Sequence, residues 1–200
     1  MSISIFDLFK IGIGPSSSHT VGPMKAAAMF ARRLHEGGLL PSTARVEARL
    51  YGSLGATGKG HGTERAALAG LIGNEPATVD PLFLDEMKEK PKATYPLKLG
   101  DKTFNLSLDD IIYDSPKGDF PHPNTMTCKL MAGDTVLLEQ EYYSVGGGFI
   151  EWKGYTPPKK GAPKYPYSTM AELLKHAETA KISVAQLAMA HSGRPACSTS

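Results

Sequence analysis

The chain is organised around the stretch Gly12-Ile13-Gly14-Pro15-Ser16-Ser17-Ser18-His19-Thr20, which places hydroxyl groups, an imidazole and backbone amides within a few residues. Pro23 follows, and because proline is tolerated in the first turn of a helix, a helix N-cap is predicted at residues 20–22. The first amides of a helix have no partners inside it and carry the positive end of the helix dipole. The stretch therefore predicts a site for a small anion, with an ordinary hydroxyl-capped helix as the alternative.

Composition excludes several classes of protein. The 200 residues carry a formal net charge of +2 without a long run of Lys or Arg, which argues against a nucleic-acid footprint. The N-terminus lacks the positive region of a signal peptide, and no apolar run is long enough to cross a bilayer, so a cytoplasmic protein is expected. Two cysteines, Cys128 and Cys197, stand far apart and outside any paired ligand motif. They predict neither a disulfide framework nor a complete metal site, and no metal ligand is assigned.

Periodic segments predict an α+β fold. Residues 44–51 alternate between apolar and polar side chains, which is typical of a strand with one wet face. The pair Gly133-Asp134 separates two alternating segments and predicts a hairpin. Residues 24–36 have apolar side chains at helical spacing. We expect a mainly antiparallel sheet with packed helices, followed by a helical tail.

The same patterns predict how the chain is divided. Residues 1–152 are expected to form one domain, and residues 153–167 form a linker rich in Pro, Lys and Gly. Helical periodicity resumes at residues 168–190, with a capping arrangement around Ser168. Residues 191–200 lack periodicity and are expected to be a disordered tail.

A glycine-rich segment, residues 52–63, is predicted to be a loop that leads into a helix capped by Thr63. Such loops invite a nucleotide interpretation, which the spacing contradicts. A P-loop would need glycine at Ser53 and Ser or Thr at Gly60. We expect instead a loop that lets the backbone approach a small ligand closely.

Five motifs together resemble a known family. They are GIGPSSSHTVGPMKAA at 12–27, YGSLGATGKGHGTERA at 51–66, GNEPATVD at 73–80, HPNTM at 122–126 and YYSVGGGF at 142–149. In this order they resemble motifs in the N-terminal β domain of the iron–sulfur L-serine dehydratases (L-serine ammonia-lyases). The resemblance covers residues 1–190. It implies a fold similar to the allosteric substrate-binding domains of some serine-pathway dehydrogenases, and conversion of L-serine to pyruvate and ammonia.

In that family a 4Fe-4S cluster is bound by a separate α-helical domain, and this chain departs from the pattern there. Neither Cys128 nor Cys197 lies in a motif that replaces the cluster ligands. From His191 onward the sequence is unlike the continuation into the α domain, so a fragment or a prematurely ended reading frame is expected. The resemblance implies L-serine, a cluster-bearing α domain or subunit and a second copy of the chain as partners, without nucleic acid or membrane. The chain alone is predicted to be inactive.

The resemblance and the residues together predict the site. His61 is the predicted base, because a position just before the N-cap Thr63 disfavours imidazolium at a positive helix end. Three loops, at 16–20, 58–61 and 122–124, are expected to converge on one pocket. The predicted substrate-binding residues are Ser16, Ser17, Ser18, His19, Thr20, Lys59, His122 and Asn124.

Two alternatives remain open. The same loops suit a regulatory module that binds an amino acid or another small anion without catalysis. A mononuclear metal site of His19, His61 and His122 is the other alternative, although it lacks the local spacing typical of metal ligands. His35, on the last turn of the first helix, is interpreted as structural.

Overall fold

A computed structural model describes residues 10–37, 44–114, 118–157 and 165–191 of the chain. The chain divides into two compact units, one of residues 11–155 and one that comprises residues 1–10 and 156–200. Within the predicted linker, 158–164 lie outside the described residues, and so does the predicted tail apart from the backbone of His191. The predicted domain boundaries stay predictions.

The larger unit contains a mixed sheet and a separate hairpin. The sheet has five strands in the order β4-β1-β5-β6-β7, and only the β1–β4 pair is parallel. β2 and β3 form the hairpin. This arrangement confirms the predicted α+β class and the mainly antiparallel sheet. The strands are Ala44–Leu50 (β1), Tyr95–Leu99 (β2), Lys102–Leu106 (β3), Ile111–Tyr113 (β4), Thr125–Ala132 (β5), Thr135–Gly146 (β6) and Phe149–Trp152 (β7).

Four α-helices accompany the sheet among the described residues of the larger unit. A single π-helical turn, Ser17–Val21, leads directly into the first helix, whose N-cap is Val21 as the proline predicts. The first helix packs against the third and over strands β5, β6 and β7. The helices are Gly22–Glu36 (α1), Gly52–His61 (α2), Thr63–Leu71 (α3) and Phe83–Glu89 (α4).

The helices and one face of the sheet share a single core. On β1 the apolar residues Val46, Ala48 and Leu50 are completely buried, as their alternation predicts. Glu47 lies on the other face yet is only 1% exposed. Arg45 and Arg49 each donate to its carboxylate at 2.8 Å, so the buried charge is paired on both sides.

The predicted loop at residues 52–63 is wrong, because most of it forms helix α2. Gly52, Gly55 and Gly58 recur every three residues, and a Cβ atom on each would stand 3.0 Å or less from a neighbouring segment. A Cβ atom on Gly55 would stand 2.9 Å from the carbonyl oxygens of Leu50 and Asp114. Glycine costs a helix interior about 1 kcal/mol relative to alanine, but here it lets the helix backbone lie directly against strand ends. Tertiary contact therefore decides the conformation, and composition does not.

The prediction that Thr63 is the N-cap of the next helix is also wrong. Gly62, in the left-handed conformation with φ 63°, separates α2 from α3, and Thr63 is the first residue of α3. His61 is therefore the last residue of α2, where the helix dipole favours a cation. The helix dipole is therefore not a reason for a neutral His61.

The smaller unit contains a pair of helices, Met170–Ala180 (α5) and Val184–His191 (α6). Leu173, Ala177 and Leu187 form its small core. The capping box of α5 is made by Thr169 and Glu172, rather than by Ser168 as predicted. Across the described parts of both units, no helix combines the length and the apolar character needed to span a membrane.

Candidate functional site

The π-helical turn holds the serine-rich segment in one conformation. The Ser16 hydroxyl accepts from the amide of His19 at 3.2 Å, and the Ser16 carbonyl accepts from the amides of Thr20 and Val21 at 3.0 Å. These three amides are thus already used inside the turn. They are not available to an anion, and the predicted anion site stays a prediction.

His19 on this turn stands against His61 at the end of α2. The two ring centroids are 4.8 Å apart, with 40° between the ring planes. Both nitrogens of His19 contact hydroxyl groups. Nδ1 is 2.9 Å from Ser18 Oγ, and Nε2 is 3.1 Å from both Ser53 Oγ and Thr57 Oγ1. Burial first, and the charge of a protonated His61 second, lower the pKa of His19, which favours its neutral form.

His61 is less constrained than His19. Its Nδ1 lies 3.0 Å from the carbonyl oxygen of Thr57. A carbonyl only accepts hydrogen bonds, so Nδ1 carries the proton and the lone pair of the neutral ring is on Nε2. Among the described residues, Nε2 has no hydrogen-bond partner. The ring thus offers an available base.

Two buried threonines cross-link the backbones that carry these histidines. Thr20, beside His19, donates its hydroxyl to the carbonyl of His61 at 3.0 Å. Thr63, close to His61, donates to the carbonyl of His19 at 2.6 Å. Both threonines are 0% exposed. We call this pair the threonine clamps, and they hold the π turn and the α2–α3 junction together.

A third segment, residues 122–124, joins the same assembly. The amide of Ser53 donates to the carbonyl of Pro123 at 2.7 Å. The side-chain amide of Asn124 donates to the carbonyl of Ser144 at 3.1 Å, and the Ser144 hydroxyl donates to the carbonyl of Ser18 at 2.8 Å. The serine segment, α2 and the 122–124 segment therefore meet, although they are far apart in sequence.

The remaining predicted residues differ in what they offer. Ser17 is exposed, and none of the hydrogen bonds among the described residues involves its hydroxyl. His122 is half-buried, and its Nδ1 accepts from the Asn124 amide at 3.0 Å. The Lys59 ammonium lies 5.7 Å from the centroid of the Tyr113 ring, outside the hydrogen-bonded group around His19. The functional roles of all these residues stay predictions.

Sequence reasoning missed Ser53, Thr57 and Ser144. Ser53 and Thr57 contact His19 because they are one helical turn apart, a relation that is invisible when the segment is taken for a loop. Ser144 lies within one of the family-like motifs, but its contact with Ser18 spans 126 positions. Local spacing gives no signal for such a contact.

The residues that the structure describes do not fit a metal centre or an iron–sulfur cluster. Within the described ranges, no group of three or more His, Cys, Asp or Glu side chains is close enough to hold a metal ion, so His19, His61 and His122 do not form the site considered above. Cys128 is completely buried in the core, and burial raises the pKa of its thiol, which disfavours the thiolate that a cluster ligand requires. Cys197 lies outside the described residues.

Comparison with known proteins identifies the family. The family model for the serine dehydratase beta chain matches residues 4–155. The chain belongs to this family. It is 46% identical over 197 residues to the L-serine dehydratase of Streptomyces coelicolor, and 43% identical over 195 residues to L-serine dehydratase 1 of Escherichia coli.

These matches cover the chain and its relatives unequally. They include 94% of this chain, but only 43% of the Streptomyces coelicolor protein and 42% of the Escherichia coli protein. L-serine dehydratase 2 of Escherichia coli is 42% identical with the same coverage, 94% and 42%. The chain therefore spans less than half the length of the curated relatives it matches.

Proposed function

We propose that this chain is the β-domain portion of an L-serine ammonia-lyase, and that it supplies the α-proton base and the contacts that hold L-serine. The observation that carries the proposal is the arrangement of His61. Its Nδ1 faces the carbonyl of Thr57, which leaves Nε2 as a lone pair without a partner among the described residues. A general base needs such a nitrogen, within hydrogen-bond reach of the proton that it removes.

The reaction then proceeds in defined steps. His61 Nε2 takes the proton from Cα of L-serine, the electron pair forms a Cα–Cβ double bond, and the Cβ–O bond breaks with loss of the hydroxyl group as hydroxide. The product of this elimination, 2-aminoacrylate, tautomerises to an imine, which water hydrolyses to pyruvate and ammonia. We assign the first proton transfer to this chain.

We assign the substrate contacts to polar groups that have no hydrogen-bond partner among the described residues. Ser17 has an exposed hydroxyl that suits the substrate carboxylate. The side-chain NH₂ group of Asn124 donates to Ser144, so the side-chain oxygen Oδ1 is left to accept from the substrate ammonium. Ser16, Ser18, His19 and Thr20 support these contacts from within the turn. We include His122 and Lys59 as further polar contacts at the edges of the site.

We propose that the rest of the activity resides in the part of the protein that the relatives have beyond this chain's match. That part would be a cluster-bearing α domain or subunit, and the active protein would be a homo-oligomer. Since the described residues do not fit the cluster, no step of the mechanism above passes through it. The chain alone is accordingly expected to leave L-serine unchanged.

A chimeric enzyme tests the proposal, in which this chain replaces the segment of Escherichia coli L-serine dehydratase 1 that it matches. The chimera is expected to form pyruvate from L-serine. His61→Ala should lower kcat by about 10²–10⁴-fold, the usual contribution of a general base. His35→Ala is the matched control, because His35 is exposed on α1, and it should leave kcat unchanged. Ser17→Ala should raise KM more than it lowers kcat, since it removes a ground-state contact.

Each opposite result has a defined meaning. A folded chimera that binds L-serine without forming pyruvate would contradict the catalytic proposal and favour the regulatory module. Full activity of the His61→Ala chimera would remove His61 as the base. Pyruvate formation by the isolated chain would overturn the division of labour between this chain and the rest of the protein.

A further inference from the structure

Thr57 contacts both histidines of the site, through two different atoms. Its hydroxyl oxygen is 3.1 Å from Nε2 of His19, and its carbonyl oxygen is 3.0 Å from Nδ1 of His61. Its position on α2, four residues before His61, makes the second contact a local one. Thr57 was not among the site residues predicted from the sequence.

The proton of the Thr57 hydroxyl is already committed. The hydroxyl donates to the carbonyl of Ser53, one helical turn earlier, at 2.9 Å. A hydroxyl has a single proton, so toward His19 the Thr57 oxygen acts as an acceptor. An acceptor at this place requires a proton on Nε2 of His19.

The other side of His19 agrees with this assignment. If Nε2 carries the proton, Nδ1 of the neutral ring is an acceptor, and the Ser18 hydroxyl at 2.9 Å is free to donate to it. Ser53 Oγ, the other neighbour of Nε2, has an uncommitted proton and can either donate or accept. Of the two hydroxyls at Nε2, only that of Thr57 discriminates between the tautomers.

We infer that Thr57 is a positioning residue that gives the two adjacent histidines opposite tautomers, with Nε2–H on His19 and Nδ1–H on His61. His19 then has no free lone pair, and its ring is a fixed polar group beside His61. His61 keeps its free lone pair on Nε2. One threonine thus separates a supporting histidine from the proposed base, through its hydroxyl and its carbonyl respectively.

This inference deepens the proposed function and rests on it only where it calls His61 the base. Its test needs no catalysis. The ¹⁵N-labelled full chain is studied by long-range ¹H–¹⁵N NMR of the imidazoles, at a pH well above their pKa values, with signals assigned through His19→Gln and His61→Gln. The wild-type chain is expected to give the Nε2–H pattern for His19 and the Nδ1–H pattern for His61.

Substitutions at Thr57 then separate its two contacts. Thr57→Val removes the hydroxyl and keeps the carbonyl, so His19 should change from one tautomer to a mixture while His61 keeps Nδ1–H. Thr57→Ser should restore the wild-type pattern of His19. Thr179→Val is the matched control, because Thr179 is also an exposed helical threonine whose hydroxyl donates to the carbonyl four residues earlier, at 2.7 Å. It should change neither histidine.

Three results would overturn the inference. An Nδ1–H pattern for His19 in the wild-type chain would do so without any variant. An unchanged His19 in Thr57→Val would mean that Ser53 alone fixes the tautomer. A simultaneous change of His61 in that variant would indicate a distorted helix rather than a lost acceptor. None of these results affects the pyruvate assay of the chimera, so the two proposals fail separately.

Discussion

The π turn at residues 17–21 and helix α2 each present one histidine to the site, yet they hold it in different ways. The ring of His19 on the turn contacts three hydroxyls and has no unused nitrogen. The ring of His61 at the end of α2 has one contact, with a carbonyl oxygen, and its other nitrogen has no hydrogen-bond partner among the described residues. The backbone carbonyl of each histidine nevertheless accepts a hydrogen bond from one threonine clamp.

This difference shows that the position of each histidine and the chemical availability of its ring are determined by different contacts. The threonine clamps donate to backbone carbonyl groups and fix the position of each histidine backbone, independently of the contacts of its ring. The ring contacts then decide whether the imidazole is available for chemistry. Both histidines therefore have a fixed backbone position, whereas of the two rings only that of His61 has an available lone pair.

The largest effect on stability is expected from the clamps. Thr20→Val and Thr63→Val keep side-chain volume but remove a buried hydroxyl donor from a carbonyl. Each should lower the free energy of unfolding by about 1–3 kcal/mol, measured by urea denaturation of the full chain. The double variant should depart from additivity, since both bonds join the same two segments.

The control is Thr103→Val, on an exposed position of β3, which should change stability little. Strict additivity of the two clamp variants would show that the π turn and the α2–α3 junction are held independently. In that case the shared fixation of the two histidines would have to be abandoned.

A smaller effect should distinguish the two rings. His19→Ala loses three hydroxyl contacts and His61→Ala loses one contact with a carbonyl. The two contacts at Nε2 share a single proton or lone pair and count as one hydrogen bond, so with about 0.5–1.5 kcal/mol for a net hydrogen bond His19→Ala should be about 0.5–1.5 kcal/mol less stable than His61→Ala. Equal losses in the same denaturation experiment would contradict the view that His19 is the supporting histidine.

The smallest effect concerns pH. Because the pKa of His19 is held below 6.5 in the folded chain, the unfolded chain binds a proton first as the pH falls. This contribution to stability is present above pH 6.5, and it is lost as the pH decreases from there toward the pKa of the folded state. Urea denaturation at about pH 7.5 and about pH 5.5 should give a larger loss for the wild-type chain than for His19→Gln, which cannot titrate.

His35→Gln provides the comparison for that experiment, since His35 is exposed on α1. It should keep the pH dependence of the wild-type chain. A His19→Gln variant that retains the full pH dependence would mean that His19 does not contribute to it.

Sequence patterns predicted the elements whose periodicity is set by burial. The alternation in β1 and the turn at Gly133-Asp134 gave the correct strands, and Pro23 gave the correct start of α1. Each of these signals is local, because burial on one face or a fixed φ angle leaves a mark on neighbouring residues. The hairpin of β2 and β3 was not predicted, although Tyr95, Leu97 and Leu99 alternate with exposed residues and Gly100-Asp101 separates the two strands.

The site was only partly predictable for the opposite reason. The residue types at 16–20, 61 and 122–124 indicated polar chemistry, but glycine composition concealed that α2 is a helix. With the helix unrecognised, the relation of Ser53 and Thr57 to His19 was not visible. Ser144 reaches Ser18 through the order of strands in the sheet, and that order is decided by pairing between distant segments.

The face of α2 that carries Gly52, Gly55 and Gly58 also limits the movement of the His61 backbone. Between this helix and the ends of β1 and β4, backbone atoms meet at Gly55 without intervening rotatable side chains. A spacing set by atomic radii fluctuates less than one set by a layer of side chains that change rotamer. Thermal displacement of the α2 backbone that carries His61 should accordingly be small, and random mutagenesis should find few tolerated replacements along this helix face.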